Sequence, residues 1–339
     1  MDLLDKLVKN PLVYYCIGVA ILLWLGRKFF NGPWTPVKNS MVDTTVIITG
    51  CNSGIGFKTA EDLLSQGAFV IFACRDEKRA NQAIETLPLK SQKRTHFIKL
   101  DLSDLNSVNS FAKEFRKLNR PIDILINNAG TFNFEFKLTK DNIESNMQAN
   151  HFGPMVLTLL LLDLMDKRES RIINVASKGH KFVNEADFKK LISRVNFKGD
   201  EFSGHMIYQI SKLANIFFTQ HIAEICENKY PYIKAACVHP GSILTDIGRN
   251  FHWVLKILMT ILYPIIWYIS KSIAAGAQTT LYLCYEDFNK FSNGEYYKDC
   301  RRAEVSDFAK DLETRVRFTK WSYEVLDKAL AGKFELPMV

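Results

Sequence analysis

The sequence predicts an α/β fold whose doubly wound (Rossmann) sheet consists mostly of parallel strands, and three observations support this prediction. Short apolar runs alternate with longer helical patterns along most of the 339 residues. The runs are continuously apolar, as strands are when helices cover both faces of their sheet. A glycine-rich turn directly follows the first run, at the position where such folds bind a ligand.

The predicted elements follow one another as repeated strand and helix units. Six strands are predicted, at residues 44–49, 69–74, 96–100, 122–126, 171–175 and 233–238. The main predicted helices lie at residues 54–66, 105–118, 139–165 and 208–228. With 47% hydrophobic residues, the chain can bury a large core in one domain at 44–310, followed by a C-terminal helix and tail at 311–339.

The first 30 residues are predicted to be an N-terminal membrane anchor, and residues 31–43 a linker. Residues 11–26 carry no charge and are followed by Arg27 and Lys28. As a helix this run is ~24 Å long, somewhat short of a ~30 Å hydrocarbon core. A cleaved signal peptide fits less well, because no small-residue cleavage site follows the run. A buried hairpin or a surface amphipathic helix is the other alternative.

Composition and charge restrict the kinds of partner that the protein is expected to bind. The net charge of +8 is modest, and the basic residues are scattered rather than gathered in a stripe with interleaved aromatic residues. No nucleic-acid partner is therefore predicted, whereas a lipid bilayer or a phosphorylated cofactor suits this charge. The seven cysteines form no C-x-x-C pair or metal-ligand cluster. We therefore expect no metal site and a reduced, cytosol-facing domain.

Three glycines predict a dinucleotide site at the end of the first strand. Gly50, Gly54 and Gly56 open the next helix, where a tight turn and a closely approaching pyrophosphate both require a missing side chain. Their G-x-x-x-G-x-G spacing differs from the commoner G-x-G-x-x-G. A glycine turn that serves only helix–sheet packing is the alternative.

The end of the second strand favours NADPH over NADH. NAD sites usually carry an acidic residue there for the ribose hydroxyls, whereas this chain has Arg75. A charge-assisted hydrogen bond of ~1.5–3 kcal/mol to a 2′-phosphate favours NADP(H) by roughly one to two orders of magnitude. The alternatives are Asp76 as a ribose ligand and Arg75 as a solvated surface residue.

Tyr208 and Lys212 predict a proton donor beside the dinucleotide. The two residues are four apart in a predicted helix, so their side chains share one face. That face is expected to point toward whatever the glycine turn holds.

Further motifs occur in a fixed order over about residues 44–300. They are Thr49-Gly50-x-x-x-Gly54-Ile55-Gly56, Asp101-Leu102-Ser103, Asn127-Asn128-Ala129-Gly130, Asn150-His151-Phe152-Gly153, Asn174-Val175-Ala176-Ser177, Tyr208-x-x-Ser211-Lys212 and His239-Pro240-Gly241. The chain thereby resembles the short-chain dehydrogenase/reductase superfamily. It also resembles the membrane-bound retinol dehydrogenase group, through Ala73-Cys74-Arg75-Asp76, the run 211–215, residues 274–279 and Asp299-Cys300.

The resemblance implies a role for each catalytic residue. Tyr208 would donate a proton to a substrate carbonyl while hydride arrives from the nicotinamide, with Lys212 stabilising the tyrosine anion. Ser177 would polarise the carbonyl oxygen, and Asn150 would hold a water that links Lys212 to solvent. The implied cofactor contacts, besides Tyr208 and Lys212, are Thr49, Gly50, Asn52, Ser53, Gly54, Ile55, Gly56, Arg75, Asp101, Leu102, Asn128, Ala129, Gly130, Pro240, Gly241 and Thr245.

Residues 251–269 are predicted to be an apolar lid or a membrane-associated segment. The segment carries one charge, Lys256, and follows Pro240-Gly241, the motif after which the enzymes that this chain resembles place a substrate lid. Beside a bilayer such a lid would admit a lipophilic substrate directly. A buried helix or the interface of a homodimer is the alternative. A second membrane span is disfavoured, because Lys256 and Pro264 interrupt the stretch.

The functional hypothesis is the NADPH-dependent, reversible reduction of a lipophilic aldehyde or ketone, with retinaldehyde-like substrates first. A hydroxysteroid or keto-lipid oxidoreductase would use the same catalytic residues, because only the pocket distinguishes these substrates. A nucleotide-binding subunit of a membrane complex, without turnover, is the hypothesis of another class. The anchor fits several membranes; the resemblance favours the endoplasmic reticulum membrane with a cytosolic catalytic domain, and the mitochondrial membrane second.

Overall fold

The computed structural model describes residues 11–165, 169–194, 202–243 and 262–337. Within these ranges eight strands form one sheet, in the order β3-β2-β1-β4-β5-β6-β7-β8. The strands are β1 (Thr45–Thr49), β2 (Phe69–Cys74), β3 (Thr95–Lys99), β4 (Ile124–Asn127), β5 (Ser170–Val175), β6 (Ile233–His239), β7 (Glu295–Lys298) and β8 (Arg301–Arg302). The predicted doubly wound α/β fold is confirmed.

The order in which successive strands join the sheet reverses beside β1. Strands β2 and β3 lie on one side of β1, and β4, β5 and β6 lie on the other. In β1, Ile47 pairs in parallel with Ile71 of β2 on one side and with Leu125 of β4 on the other. The remaining pairs are also parallel, except that β8 runs antiparallel to β7. Because the crossovers diverge between β1 and β4, a crevice opens there at the carboxyl ends of the strands.

Helices cover both faces of the sheet. The helices of the described residues are α1 (Pro11–Asn31), α2 (Gly54–Ser65), α3 (Glu77–Glu85), α4 (Leu89–Gln92), α5 (Leu105–Arg116), α6 (Ser145–Met147), α7 (Gly153–Leu161), α8 (Glu185–Ile192), α9 (Gly204–Lys229), α10 (Tyr263–Ile269), α11 (Ile273–Tyr285), α12 (Asp307–Lys310) and α13 (Leu312–Leu330), of which α1 and α10 do not pack on the sheet. One apolar layer joins the sheet to α5, α7, α9 and α13. The opposite layer joins it to α2, α3 and α11. Every residue of β1 is buried, as expected for a strand that is covered on both faces.

The predicted helix at 139–165 is wrong at its start and in its continuity. Helix α6 begins only at Ser145, and a π-helical turn, Gln148–Phe152, separates it from α7. Glu144 is the N-cap of α6, because its carboxylate accepts hydrogen bonds from the Asn146 and Met147 backbone N–H groups. Ile143 is buried without being helical, so the apolar periodicity runs through the loop.

Strands β7 and β8 are not predicted by the sequence pattern. Strand β7 has four residues and follows Gly294, whose φ is +77°. It extends the sheet because Tyr296 pairs with Cys237 of β6. A segment this short has no clear period of its own, and its pairing partner lies about 60 residues away in the chain.

Helix α1 extends past the predicted apolar run to Asn31, which makes it about 31 Å long. Its mean hydropathy reaches 1.5, and none of its residues is buried. Among the described residues it is the one helix long and apolar enough to cross a membrane.

The end of α1 packs against α10, the described part of the predicted apolar segment. The Tyr268 hydroxyl donates to the Leu23 carbonyl at 3.0 Å, and the Arg27 guanidinium donates to the Tyr268 carbonyl at 3.2 Å. The same guanidinium lies 4.6 Å from the centre of the Trp267 ring. None of the residues of α10 is buried, and residues 251–261 lie outside the described ranges.

Helix α13 lies within the predicted C-terminal segment and belongs to the core. Phe318, Trp321 and Val325 are buried in the same apolar layer as α9. The Trp321 indole also donates to the Arg194 carbonyl at 2.6 Å. The C-terminal helix therefore forms part of one face of the domain.

Candidate active site

A cleft of about 540 Å³ lies at the carboxyl ends of the strands. Most of the predicted site residues line it, namely Gly50, Asn52, Ser53, Gly54, Ile55, Gly56, Arg75, Asp101, Leu102, Asn128, Ala129, Gly130, Ser177, Tyr208, Lys212, Pro240 and Gly241. Thr49 and Asn150 do not line the cleft and are buried in its wall. Thr245 lies outside the described residues.

The glycine turn has the shape of a phosphate cradle. Gly50 has a φ of +65°, and a Cβ placed there would lie 2.9 Å from the Ala129 Cβ. A Cβ on Gly56 would lie 2.7 Å from the Gly50 carbonyl oxygen, so both positions require glycine. Ser53 sits at the N-cap of α2 without making a capping hydrogen bond. The first N–H groups of α2 are thus directed at the cleft, where an anion is favoured.

Two side chains brace this turn against the end of β4. The Thr49 hydroxyl accepts a hydrogen bond from the Ala129 backbone N–H at 2.9 Å. The Asn128 amide donates to the Thr49 and Gly50 carbonyls at 2.9 and 3.3 Å. Thr49 therefore shapes the cleft indirectly, because its hydroxyl fixes the backbone of Ala129.

The end of the cleft beside β2 carries two arginines and two aspartates. Arg75 is exposed directly after β2, and Arg79 lines the same wall. The Asp76 carboxylate accepts the Arg79 backbone N–H at 3.0 Å and so caps α3. Asp101 accepts the Ser103 backbone N–H at 2.9 Å. Asp76, the alternative ribose ligand, is therefore engaged as a helix cap.

The opposite end of the cleft holds Ser177, Tyr208 and Lys212. The Ser177 side chain lies close enough to the Tyr208 phenol to lower the pKa of that phenol, and its hydroxyl accepts the Gly179 backbone N–H at 3.2 Å. The Lys212 ammonium lies 5.7 Å from the centre of the Tyr208 ring and donates to the Val175 carbonyl at 3.2 Å. Helix α9 thus places both of its predicted side chains next to the serine that follows β5.

Asn150 lies in the π-helical turn behind this group. Its amide nitrogen donates to the Thr131 carbonyl and to the Ser211 hydroxyl, both at 3.0 Å, and its amide oxygen accepts the Thr131 N–H at 2.7 Å. A Cβ on Gly130 would lie 3.4 Å from both the Asn150 amide oxygen and the Lys212 ammonium. The turn therefore ties the loop after β4 to α9, and glycine keeps space between Asn150 and Lys212.

Comparison with known proteins identifies the family. The family model described as short chain dehydrogenase matches residues 44–186. The chain is 33% identical over 302 residues to retinol dehydrogenase 12 of Mus musculus, covering 88% of this chain and 92% of that protein. It belongs to the short-chain dehydrogenase family. The dehydrogenase is accordingly an NAD(P)-dependent oxidoreductase that acts on CH–OH groups, and it resembles the retinol dehydrogenase group.

Solved structures support the same fold for this dehydrogenase. An uncharacterised protein from Mycobacterium paratuberculosis is 27% identical and superposes with a TM-score of 0.70, covering 91% of this chain and 100% of its own. A short chain dehydrogenase from Burkholderia cenocepacia, solved in complex with NADP, is 20% identical. It superposes with a TM-score of 0.59, covering 80% of this chain and 100% of its own.

Burial sets the protonation states at the reactive end of the dehydrogenase cleft. It raises the pKa of Tyr208 above its usual value, although the nearby Ser177 side chain opposes that shift. It lowers the pKa of Lys212 to about 8. Near pH 7 the protein therefore holds a neutral phenol, which can donate a proton, beside a protonated lysine. The neighbouring His239 is neutral, because burial and then the charges of Lys298 and Lys271 lower its pKa to about 4.

Sequence reasoning missed the residues that line the cleft immediately after the Asn128–Gly130 motif. Phe132 is buried, and its ring centre lies 4.7 Å from that of Tyr208 and 4.6 Å from that of Phe134. Its position after the carboxyl end of β4 is the signal that could have found it.

Across the described residues, no group of three or more His, Cys, Asp and Glu side chains could hold a metal ion.

Proposed function

We propose that this dehydrogenase catalyses the NADPH-dependent, reversible reduction of a lipophilic aldehyde or ketone, with retinaldehyde-like substrates first. One observation carries the proposal: Tyr208, Ser177 and Lys212 converge at one end of a cleft whose other end has Arg75. A proton donor and a phosphate-binding cation at opposite ends of one cleft suit the two ends of a nicotinamide dinucleotide.

The residues present fit this cofactor. The close approaches at Gly50 and Gly56 leave no room for side chains, and Ser53 makes no capping bond, so the turn suits a pyrophosphate. Arg75, together with Arg79, suits a 2′-phosphate and is the basis for proposing NADPH over NADH. The Burkholderia short chain dehydrogenase, which has the same fold, was solved with NADP, so the fold can hold a nicotinamide dinucleotide. When bound, the nicotinamide supplies the hydride.

In the proposed reaction the chain's own residues move the proton and polarise the carbonyl. Tyr208 donates its phenolic proton to the substrate oxygen, and Ser177 hydrogen-bonds the same oxygen. Lys212 stabilises the resulting tyrosine anion, because an ammonium close to the ring favours the charged form. A positioned acid of this kind contributes ~10²–10⁴-fold to the rate.

The apolar surroundings favour a lipophilic substrate. Phe132 packs against the Tyr208 ring, and the relative from Mus musculus is named as a retinol dehydrogenase. We further propose that α1 anchors the enzyme in a membrane, with the endoplasmic reticulum first. Helix α10, whose Ile265 and Trp267 side chains are 62% and 49% exposed, would then lie at the bilayer surface.

The test is NADPH oxidation by the detergent-solubilised protein with all-trans-retinaldehyde, with Tyr208→Phe as the matched variant. We expect turnover by the natural protein and a loss of about 10²-fold or more in the variant. Equal turnover in both would show that Tyr208 is not the acid. Tight NADPH binding without turnover would favour a different keto-lipid, such as a steroid ketone, or the non-catalytic subunit.

A further inference from the structure

Lys271 lies beside the segment that follows β6, at the end of the cleft that holds Tyr208. It is far in sequence from the motifs that line the cleft. Its backbone N–H donates to the Ser242 carbonyl at 2.8 Å, and it pairs with Ile243 in a parallel bridge. This pairing holds the segment 240–243, which follows β6 and lines the cleft through Pro240, Gly241 and Ile243.

The aliphatic stem of Lys271 lies directly on Gly241. A Cβ on Gly241 would be 2.5 Å from the Lys271 Cδ, and the glycine has a φ of +95°. No other residue type satisfies both the conformation and the contact. The loop at the end of β6 is therefore shaped to accept this one side chain.

The ammonium of Lys271 is fixed at its far end by Asp299. Its Nζ lies 2.5 Å from the Asp299 Oδ1, and the two side chains are 9% and 22% exposed. Asp299 and Cys300 both have φ values near +50°, a region that non-glycine residues seldom adopt, so this turn is built to direct the carboxylate. Burial opposes ionisation of Asp299, but Lys271 and then Lys298 outweigh it, and the pKa of the carboxyl is lowered.

The last residue of α1 and the glycine that follows it cover the ion pair from outside. A Cβ on Gly32 would lie 3.1 Å from the Lys271 Nζ and 3.3 Å from the Asp299 Oδ1. The Asn31 side chain accepts the Ser272 backbone N–H at 2.9 Å. The pair is thus enclosed between the end of α1, the end of β7 and the segment 240–243.

We propose that Lys271 and Asp299 form a clamp that positions the segment 240–243 and thereby fixes the nicotinamide half of the cofactor. Lys271 touches neither the reacting atoms nor the adenosine end, where Arg75 lies across the cleft. Its effect is transmitted through Gly241 and the backbone pairing with Ser242. The inference rests on the proposed function, because it assumes that the nicotinamide lies at the end of the cleft that holds Tyr208.

The test separates the two halves of the cofactor by comparing NADPH with 2′,5′-ADP, which carries only the adenosine half. The full-length, detergent-solubilised protein is titrated with each ligand, and kcat and KM are measured with NADPH. The main variant is Lys271→Met, which keeps the stem over Gly241 and removes the charge. Lys271→Arg retains the charge. Lys298→Met removes a charge 3.6 Å from the same carboxylate and is the matched control.

We expect Lys271→Met to lower kcat/KM for NADPH by roughly 10- to 100-fold, because small misplacements at a reacting centre have effects of that size. Binding of 2′,5′-ADP should change less than about twofold, Lys271→Arg should recover most of the activity, and Asp299→Asn should reproduce the loss. Lys298→Met should behave like the natural protein. Retained 2′,5′-ADP binding also demonstrates that a variant is folded.

Two outcomes would overturn the clamp alone. Equal weakening of NADPH and 2′,5′-ADP would assign Lys271 a general structural role and leave the proposed function standing. An equal loss in Lys298→Met would assign the effect to net charge near Asp299. Failure of the natural protein to bind NADPH would instead remove the proposed function, and the clamp with it.

Discussion

Lys212 carries a stability cost that its proposed role beside Tyr208 would account for. It is 4% exposed, its ammonium donates to the Val175 carbonyl, and no carboxylate among the described residues pairs with it. Burial lowers the pKa of Lys212 from 10.5 to about 8. At ~1.4 kcal/mol per pKa unit, holding the protonated lysine in the folded state at pH 7 costs about 3 kcal/mol relative to the unfolded chain.

We therefore predict that Lys212→Met stabilises the cofactor-free protein at pH 7 while it abolishes reductase activity. Methionine keeps the apolar length of the side chain and removes the charge. After the loss of one hydrogen bond, worth about 1 kcal/mol, the expected gain in the free energy of unfolding is about 2 kcal/mol. The gain should depend on pH in a defined direction. Between about pH 8 and 10.5 the unfolded lysine binds more protons than the folded one, so the natural protein becomes more stable and the difference shrinks.

The assay is urea-induced unfolding of the detergent-solubilised protein at pH 7 and pH 10, followed by tryptophan fluorescence. Lys320→Met, at an exposed lysine of α13, is the control and should change stability by less than about 0.5 kcal/mol at either pH. A Lys212→Met protein that is less stable than the natural protein at pH 7 would refute the reasoning. A gain of the same size at both pH values would also refute it, since the effect would then not come from the charge.

Two further predictions concern the cofactor and the membrane. Arg75→Asp should weaken NADPH binding by roughly tenfold, the low end for a charge-assisted bond because Arg75 is exposed, and should leave NADH binding unchanged or improved. Titration of both cofactors measures this, and equal loss of both would contradict the assignment. Deletion of residues 1–22 removes most of α1 but keeps the contacts of Leu23 and Arg27 with α10, so it should convert a carbonate-resistant membrane protein into an extractable one. Carbonate resistance of the shortened chain would show that another segment is the anchor.

The elements that the sequence predicts best are those whose signals are local. The bounds of β2 agree with the prediction to the residue, and β1 differs by one residue, because each is an apolar run closed by a turn. Gly50 and Gly56 could be assigned to a phosphate-binding turn because their position after the first strand leaves few other reasons for a missing side chain. The shared helix face of Tyr208 and Lys212 follows from helical periodicity, whereas their roles come from the resemblance.

The features that the sequence does not reveal depend on contacts between distant segments. The π-helical turn at Asn150 is stabilised by bonds to Thr131 and Ser211, which lie 19 and 61 residues away. Asp299 follows the short strand β7, and its partner Lys271 lies 28 residues earlier with no spacing rule to connect them. Neither residue pattern has a period or a turn signature, so only the assembled sheet shows what these side chains do.

The position of the anchor helix relative to the cleft restricts how a lipophilic substrate reaches Tyr208. The end of α1 contacts α10, and Lys271, two residues beyond α10, holds the segment that lines the reactive end of the cleft. With α1 in a bilayer, as proposed, the membrane surface would lie near the end of the cleft that holds Tyr208, whereas Arg75 lies at the other end. A charged cofactor would then enter from water and an apolar carbonyl compound from lipid, so the two would reach the cleft by separate routes. Desolvation of the substrate would occur in the bilayer rather than in the enzyme, which leaves the binding energy of the cleft for positioning the carbonyl at Tyr208.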